Sequence, residues 1–184
     1  MLDFILGALV MLGLVWVRFR FFAFPAQRSE DYAGELGSFD IREKFNGALL
    51  CQGVIYGPTG RVMSRFVADF DAQWDGNRGV MKEDFRYESG SLEHREWTLS
   101  VEETGRITAT APDVIGTAQG RQAGPSVNLN YRLRLPEDAG GHVLDVRDWM
   151  YLTPDGTIVN RSQFRKYGLL VAELVATMRP KEQL

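Results

Sequence analysis

Residues 61–87 read RVMSRFVADFDAQWDGNRGVMKEDFRY, and this stretch decides the fold. From Val62 to Trp74 every second residue is small or apolar (Val62, Ser64, Phe66, Ala68, Phe70, Ala72, Trp74), and Arg65, Asp69, Asp71 and Gln73 stand between them. Successive side chains of a strand point to opposite faces, so this alternation marks a long strand with one face buried and one wet. Asp75-Gly76 supplies the chemistry of a tight hairpin turn, and Asn77 tolerates the same left-handed backbone. A second strand is predicted from Val80 to Tyr87.

The same unit recurs on both sides. One strand is predicted before it, from Leu49 to Tyr56. After it come Leu92–Val101, Ile107–Ala111, Val114–Gln122, Val127–Leu135, Val143–Leu152, Thr157–Arg165 and Leu169–Met178. Gly57-Pro58-Thr59-Gly60, Ser89-Gly90, Thr104-Gly105, Gly124-Pro125 and Pro154-Asp155-Gly156 punctuate them as turns. Val114, Gly116, Ala118 and Gly120 share one face, a pattern of small residues that marks a strand bend or a close approach of backbones. The last segment has a helical composition, but Leu170, Ala172, Leu174, Ala176 and Met178 alternate with polar and β-branched residues, which favours a strand. Residues 40–45 read as one helical turn stopped by Asn46-Gly47. About ten short strands with no helix between them predict an all-β, antiparallel up-and-down barrel. A barrel of that size can hold one apolar ligand.

The chain begins differently. Phe4 to Val17 is unbroken apolar sequence, FILGALVMLGLVWV, about 21 Å long as a helix against a bilayer core of about 30 Å. Counted through Phe24, with Arg18 and Arg20 snorkelling, the run is long enough to cross. Residues 1–25 are therefore expected to form a transmembrane anchor, 26–38 a polar linker and 39–180 the barrel. A cleaved signal peptide fits less well, because no positive n-region and no small-x-small cleavage site are present. A buried or interfacial helix is the third reading. Arg18, Arg20 and Arg28 follow the apolar run, which by the positive-inside rule puts the barrel in the cytoplasm.

Composition excludes several function classes. A net charge of −3 gives no basic face for nucleic acid. A single cysteine, Cys51, permits no intrachain disulfide and no thiolate metal cluster, and two histidines, His94 and His142, do not make a histidine-rich metal site. No cofactor is expected. Asp69 and Asp71 fall on the wet face and Asp75 in a turn, so they read as solvated carboxylates. Ser64 has no nucleophile-elbow context.

The informative residues are polar ones on inner faces. Glu83 alternates inward with Met81, Phe85 and Tyr87. Arg95 is in phase with Trp97 and Leu99, and Asp148 with Met150. Tyr131 lies on the apolar face of its strand, and Arg161 is placed inward beside Val159. Glu83, Arg95, Trp97, Tyr131, Asp148, Met150 and Arg161 form the candidate ligand-binding set. Buried charges need partners, and Glu83–Arg95 and Asp148–Arg161 are the pairs expected. They serve as structural pairs, as a carboxylate- or phosphate-binding arginine, or as acid–base groups at Glu83 or Asp148.

Taken in order, FNG (Phe45–Gly47), WDGN (Trp74–Asn77), EDFRY (Glu83–Tyr87), REW (Arg95–Trp97), DVIGTAQG (Asp113–Gly120), YRLRLP (Tyr131–Pro136), DWMYL (Asp148–Leu152) and NRS (Asn160–Ser162) resemble the uncharacterised proteobacterial family known as domain of unknown function 3833. The resemblance covers nearly all of residues 39–179. It implies a lipocalin-like, calycin-type barrel in the bacterial envelope, and no activity. Many members look like lipoproteins, whereas this chain carries an apolar helix in place of a lipidated cysteine. The family analogy favours the periplasmic face of the inner membrane; the arginines keep the cytoplasmic face open. The expected function is a membrane-anchored barrel that binds or presents a lipid or fatty acid, with no protein partner identified. An accessory subunit of a membrane enzyme and a small lipid-acting enzyme are the alternatives.

Overall fold

The computed structural model describes residues 1–181, and all of their side chains except those of Leu2, Phe19 and Asp138. Helix α1 (Leu2–Phe21) is followed by single 3-10 turns at Phe24–Ala26 and Ser29–Asp31, and by the short helix α2 (Ile41–Lys44). Ten strands come next: β1 (Gly47–Tyr56), β2 (Val62–Asp75), β3 (Arg78–Tyr87), β4 (Leu92–Val101), β5 (Arg106–Thr110), β6 (Ala118–Ala123), β7 (Ser126–Arg134), β8 (Val143–Leu152), β9 (Ile158–Lys166) and β10 (Leu169–Pro180). Each pairs antiparallel with its sequence neighbours, and β1 closes on β10, with Leu49 opposite Pro180 and Tyr56 opposite Glu173. The predicted meander is therefore a closed barrel without free edges.

The strand that organised the sequence is β2. Phe66, Ala68, Phe70 and Ala72 are buried along it, and Val67, Asp71 and Gln73 are exposed. Gly76 takes φ +56 at the turn. The glycine stretch 114–120 meets its expectation: a Cβ at Gly120 would lie 1.9 Å from the Asn128 carbonyl oxygen, so β6 and β7 approach as only glycine permits.

One end of the barrel is plugged. Asp40 caps α2 by accepting from the Arg42 amide at 2.9 Å, which satisfies a donor that the helix cannot. Phe39, Ile41 and Phe45 point into the barrel and are almost fully buried, and the rings of Phe39 and Phe45 stack 6.0 Å apart. The plug is tied to the surrounding turns. Trp74 Nε1 donates to the Phe45 carbonyl at 2.6 Å, Arg42 Nη1 to Asn77 Oδ1 at 2.7 Å, and the Phe39 amide to the Gly124 carbonyl at 2.9 Å.

The segment before the plug straps the outer wall. Tyr32 packs on Trp149 at 5.4 Å and on Tyr151 at 5.7 Å, and Ser29 Oγ donates to Asn128 Oδ1 at 3.0 Å. Trp149 faces outward on β8 yet is 3% exposed, because the strap covers it. Gly124 permits this close seat: its φ is +51, and a Cβ there would lie 2.1 Å from the Tyr32 carbonyl oxygen.

The expected transmembrane span is not supported. Among the described residues no helix is long and apolar enough to cross a membrane. The physical reason lies in the ends of α1: Asp3 sits in its first turn, and Arg18 and Arg20 in its last. The apolar stretch between them falls short of the hydrocarbon thickness, as its length of about 21 Å indicates. Its side chains, from Phe4 to Val17, are nonetheless exposed.

Candidate functional site

Inside the barrel, above the plug, lies a cavity of about 90 Å³. Phe45, Phe66, Phe70, Phe85, Leu129 and Met178 supply apolar wall, and Glu83, Arg95, Tyr131, Asp148, Asn160 and Ser162 supply polar groups. Six of the seven residues singled out in the sequence line it: Glu83, Arg95, Trp97, Tyr131, Asp148 and Met150. Alternation placed them correctly because each lies on a strand whose phase is set by several apolar neighbours.

Arg161 is the correction. Ile158, Asn160 and Ser162 are buried on the inner face of β9, so Arg161 between them projects outward and is 44% exposed. There it pairs with Glu173 at 3.1 Å, and its guanidinium lies 4.6 Å from the Phe24 ring. The expected Asp148–Arg161 pair therefore does not form. Asp148 instead accepts from Ser162 Oγ at 2.7 Å and from Asn160 Nδ2, which also donates to the Trp149 carbonyl at 3.0 Å. A one-residue change of phase exchanges the two faces of a strand. The apolar pattern of β9 is too thin to choose between them.

Glu83 and Arg95 do face each other in register across β3 and β4, but loosely, at 3.9 Å. The tight partner of Arg95 is Asp113, whose Oδ2 lies 2.6 Å from Nη2. Asp113 belongs to the loop between β5 and β6. It is held there by the Ile115 amide donating to the Arg132 carbonyl and the Arg134 amide donating to the Asp113 carbonyl, both at 2.8 Å. Glu93 adds a contact to Arg95 at 3.4 Å and accepts from the Tyr87 hydroxyl at 2.8 Å. Asp113, Glu93, Asn160 and Ser162 are the site residues that strand reasoning missed. Asp113 stands at the head of the quoted DVIGTAQG motif, which was its one signal.

Burial raises the Glu83 pKa to about 7; Arg95 opposes the rise and Asp148 adds to it. Burial also raises Asp148, against the hydrogen bonds of Ser162 and Asn160. Arg95 is pulled down by burial but held above its ordinary value by Glu83, Tyr131 and Asp113. Cys51 lines the same cavity, and burial together with the two carboxyls pushes its thiol up, which leaves it unreactive. Two buried polar atoms at the cluster have no hydrogen-bond partner, Arg95 Nε and Asp113 Oδ1.

An antiparallel, ten-stranded, closed up-and-down barrel with a side-chain-lined interior defines a lipocalin-like protein. The chain belongs to the family described as Protein of unknown function (DUF3833), whose model matches residues 19–180. Among solved structures, the barrel is similar to the S-type phycobiliprotein lyase CPES from Guillardia theta. The TM-score is 0.58 at 7% identity, over 84% of this chain and 98% of that one. At that identity the likeness concerns the fold. No curated protein matches the chain.

Proposed function

We propose that the barrel binds a hydrophobic ligand in its interior and presents it at a membrane surface. The observation that carries this reading is the cavity: aromatic and aliphatic walls around a few buried polar groups, the usual make-up of a small-molecule site. Its volume of about 90 Å³ accommodates roughly three waters, below the roughly 300–1,000 Å³ of larger ligand sites. A ligand must therefore displace side chains. Met81, Met150 and Met178 line the cavity, and their unbranched thioethers repack more readily than branched residues do.

Helix α1 supports the membrane setting. It is apolar on all sides and exposed from Phe4 to Val17, and such a surface is stable only against lipid or protein. In this reading α1 rests on the inner membrane, with the barrel on the periplasmic side that the family resemblance implies. Mass spectrometry of organic extracts from the full-length protein is expected to find one enriched apolar species. An extract that matches bulk lipid, with no saturable binding of apolar fluorescent probes, overturns the reading.

A second reading has its own observation: Glu83 and Asp148 both carry raised pKa values and line one cavity, as acid–base groups do. If they act chemically, the ligand recovered from a Glu83→Gln, Asp148→Asn variant differs in mass from that of the wild type. Identical masses leave binding alone.

A further inference from the structure

The chemical class of the ligand follows from the charges around the cavity, provided that the binding reading holds. Four carboxyls (Glu83, Glu93, Asp113 and Asp148) surround the cluster, and one guanidinium, Arg95, answers them. Arg95 is already taken, by Asp113 at 2.6 Å and Glu93 at 3.4 Å, with Glu83 at 3.9 Å. A ligand carboxylate or phosphate has to displace Asp113, and it adds an anion where carboxyls already outnumber cations. Like charges repel most where water is excluded.

The surroundings of Glu83 point the other way. Glu83 is 6% exposed and lines the cavity; Trp97 gives it a hydrogen bond, and Arg95 at 3.9 Å is its sole ion-pair partner among the described residues, so its charge is only loosely answered. Asp113 Oδ1, an acceptor, and Arg95 Nε, a donor, are each without a partner and balance one another. What is in excess is carboxyl over cation, and Glu83 is the member of the cluster that both lines the cavity and lacks a close cation, so a ligand that donates suits it. Asp148 differs, because Ser162 and Asn160 already serve it. Trp97 and Tyr131 pack edge to face at 5.4 Å and line the cavity; the Arg95 guanidinium already lies 5.9 Å from the Trp97 ring centre, so the aromatic wall accepts positive charge.

From this arrangement we infer that the cavity selects an apolar molecule bearing a protonated amine or another N–H donor group, seated on Glu83, over one bearing a carboxylate. Calorimetric titration of the full-length protein in non-ionic detergent tests it, with hexylamine, hexanol and hexanoate as matched probes at about pH 8. Hexylamine is expected to bind about tenfold or more tighter than hexanol, and hexanoate weakest, a spread well resolved in Kd. Glu83→Gln, with folding checked by circular dichroism, is expected to bring hexylamine to the level of hexanol. Equal binding of amine and alcohol, or tighter binding of hexanoate, overturns the inference and leaves the binding reading standing. Retention of the amine preference in Glu83→Gln overturns the assignment to Glu83. No saturable binding of any of the three probes overturns the binding reading and the inference together.

Discussion

The two ends of the barrel interior are built from the same strands and obey different physics. At the plugged end Phe39, Ile41 and Phe45 meet Leu49, Leu99 and Val101 in one apolar cluster, where burial alone stabilises the contact. A few residues further along the same strands, β3 reaches Glu83, β4 reaches Arg95 and β8 reaches Asp148, and the interior becomes a charged cluster with unsatisfied atoms. A folding core has no need of the second arrangement, which costs desolvation and leaves donors and acceptors unmatched. The contrast separates the part of the interior that holds the barrel together from the part available for a ligand.

Replacing one residue at each end sharpens the contrast. Arg95→Met removes the cation that serves Asp113, Glu93 and Glu83, and is expected to cost about 3–5 kcal/mol in urea unfolding at neutral pH. The loss shrinks in mild acid, where Glu83 becomes neutral. Phe45→Ala is expected to cost about 3–5 kcal/mol as well, through a cavity in the plug, but equally at both pH values. If both losses respond to pH alike, the two ends are not distinct.

The next effect in size is the pH dependence of the wild type. Glu83 titrates near 7 in the folded protein against an ordinary 4.5, so between those values the folded state holds the proton that the unfolded state has released. Stability therefore falls as pH rises through this window, by up to about 3 kcal/mol at 1.36 kcal/mol per pKa unit. Glu83→Gln is expected to flatten that slope. Asp40 and Asp69 carry the opposite sign. Arg42 lowers Asp40, and Arg86 and Lys181 lower Asp69, so their stabilisation is lost only in stronger acid. The smallest effect belongs to the plug's cap: Asp40→Ala removes the acceptor of the Arg42 amide and is expected to cost about 1 kcal/mol.

Much of this contrast was legible before folding. Glu83, Arg95 and Asp148 each interrupt an otherwise apolar alternation, and each lines the cavity. Arg161 is not legible in this way, because Val159 and Arg161 form as plausible an inner face as Asn160 and Ser162 when the neighbouring strands are unknown; pairing with β8 and β10 settles the phase. Asp113 had no alternation to reveal it, since it lies in a loop whose position depends on backbone bonds to residues about twenty positions later. The strap was equally silent, because Tyr32 and Trp149 are far apart in the chain and meet only on the finished barrel.

The ten strands, the turns between them and the inward direction of most site residues can be read from the amino-acid order. These are local properties: alternation sets which face is buried, and Gly, Asp and Asn set where the chain reverses. The closure of β1 on β10, the hold of Asp113 rather than Glu83 on Arg95, and the narrowing of the cavity to about 90 Å³ arise from the folded arrangement. Each of these depends on which distant side chains share a space, and no window of sequence contains both partners.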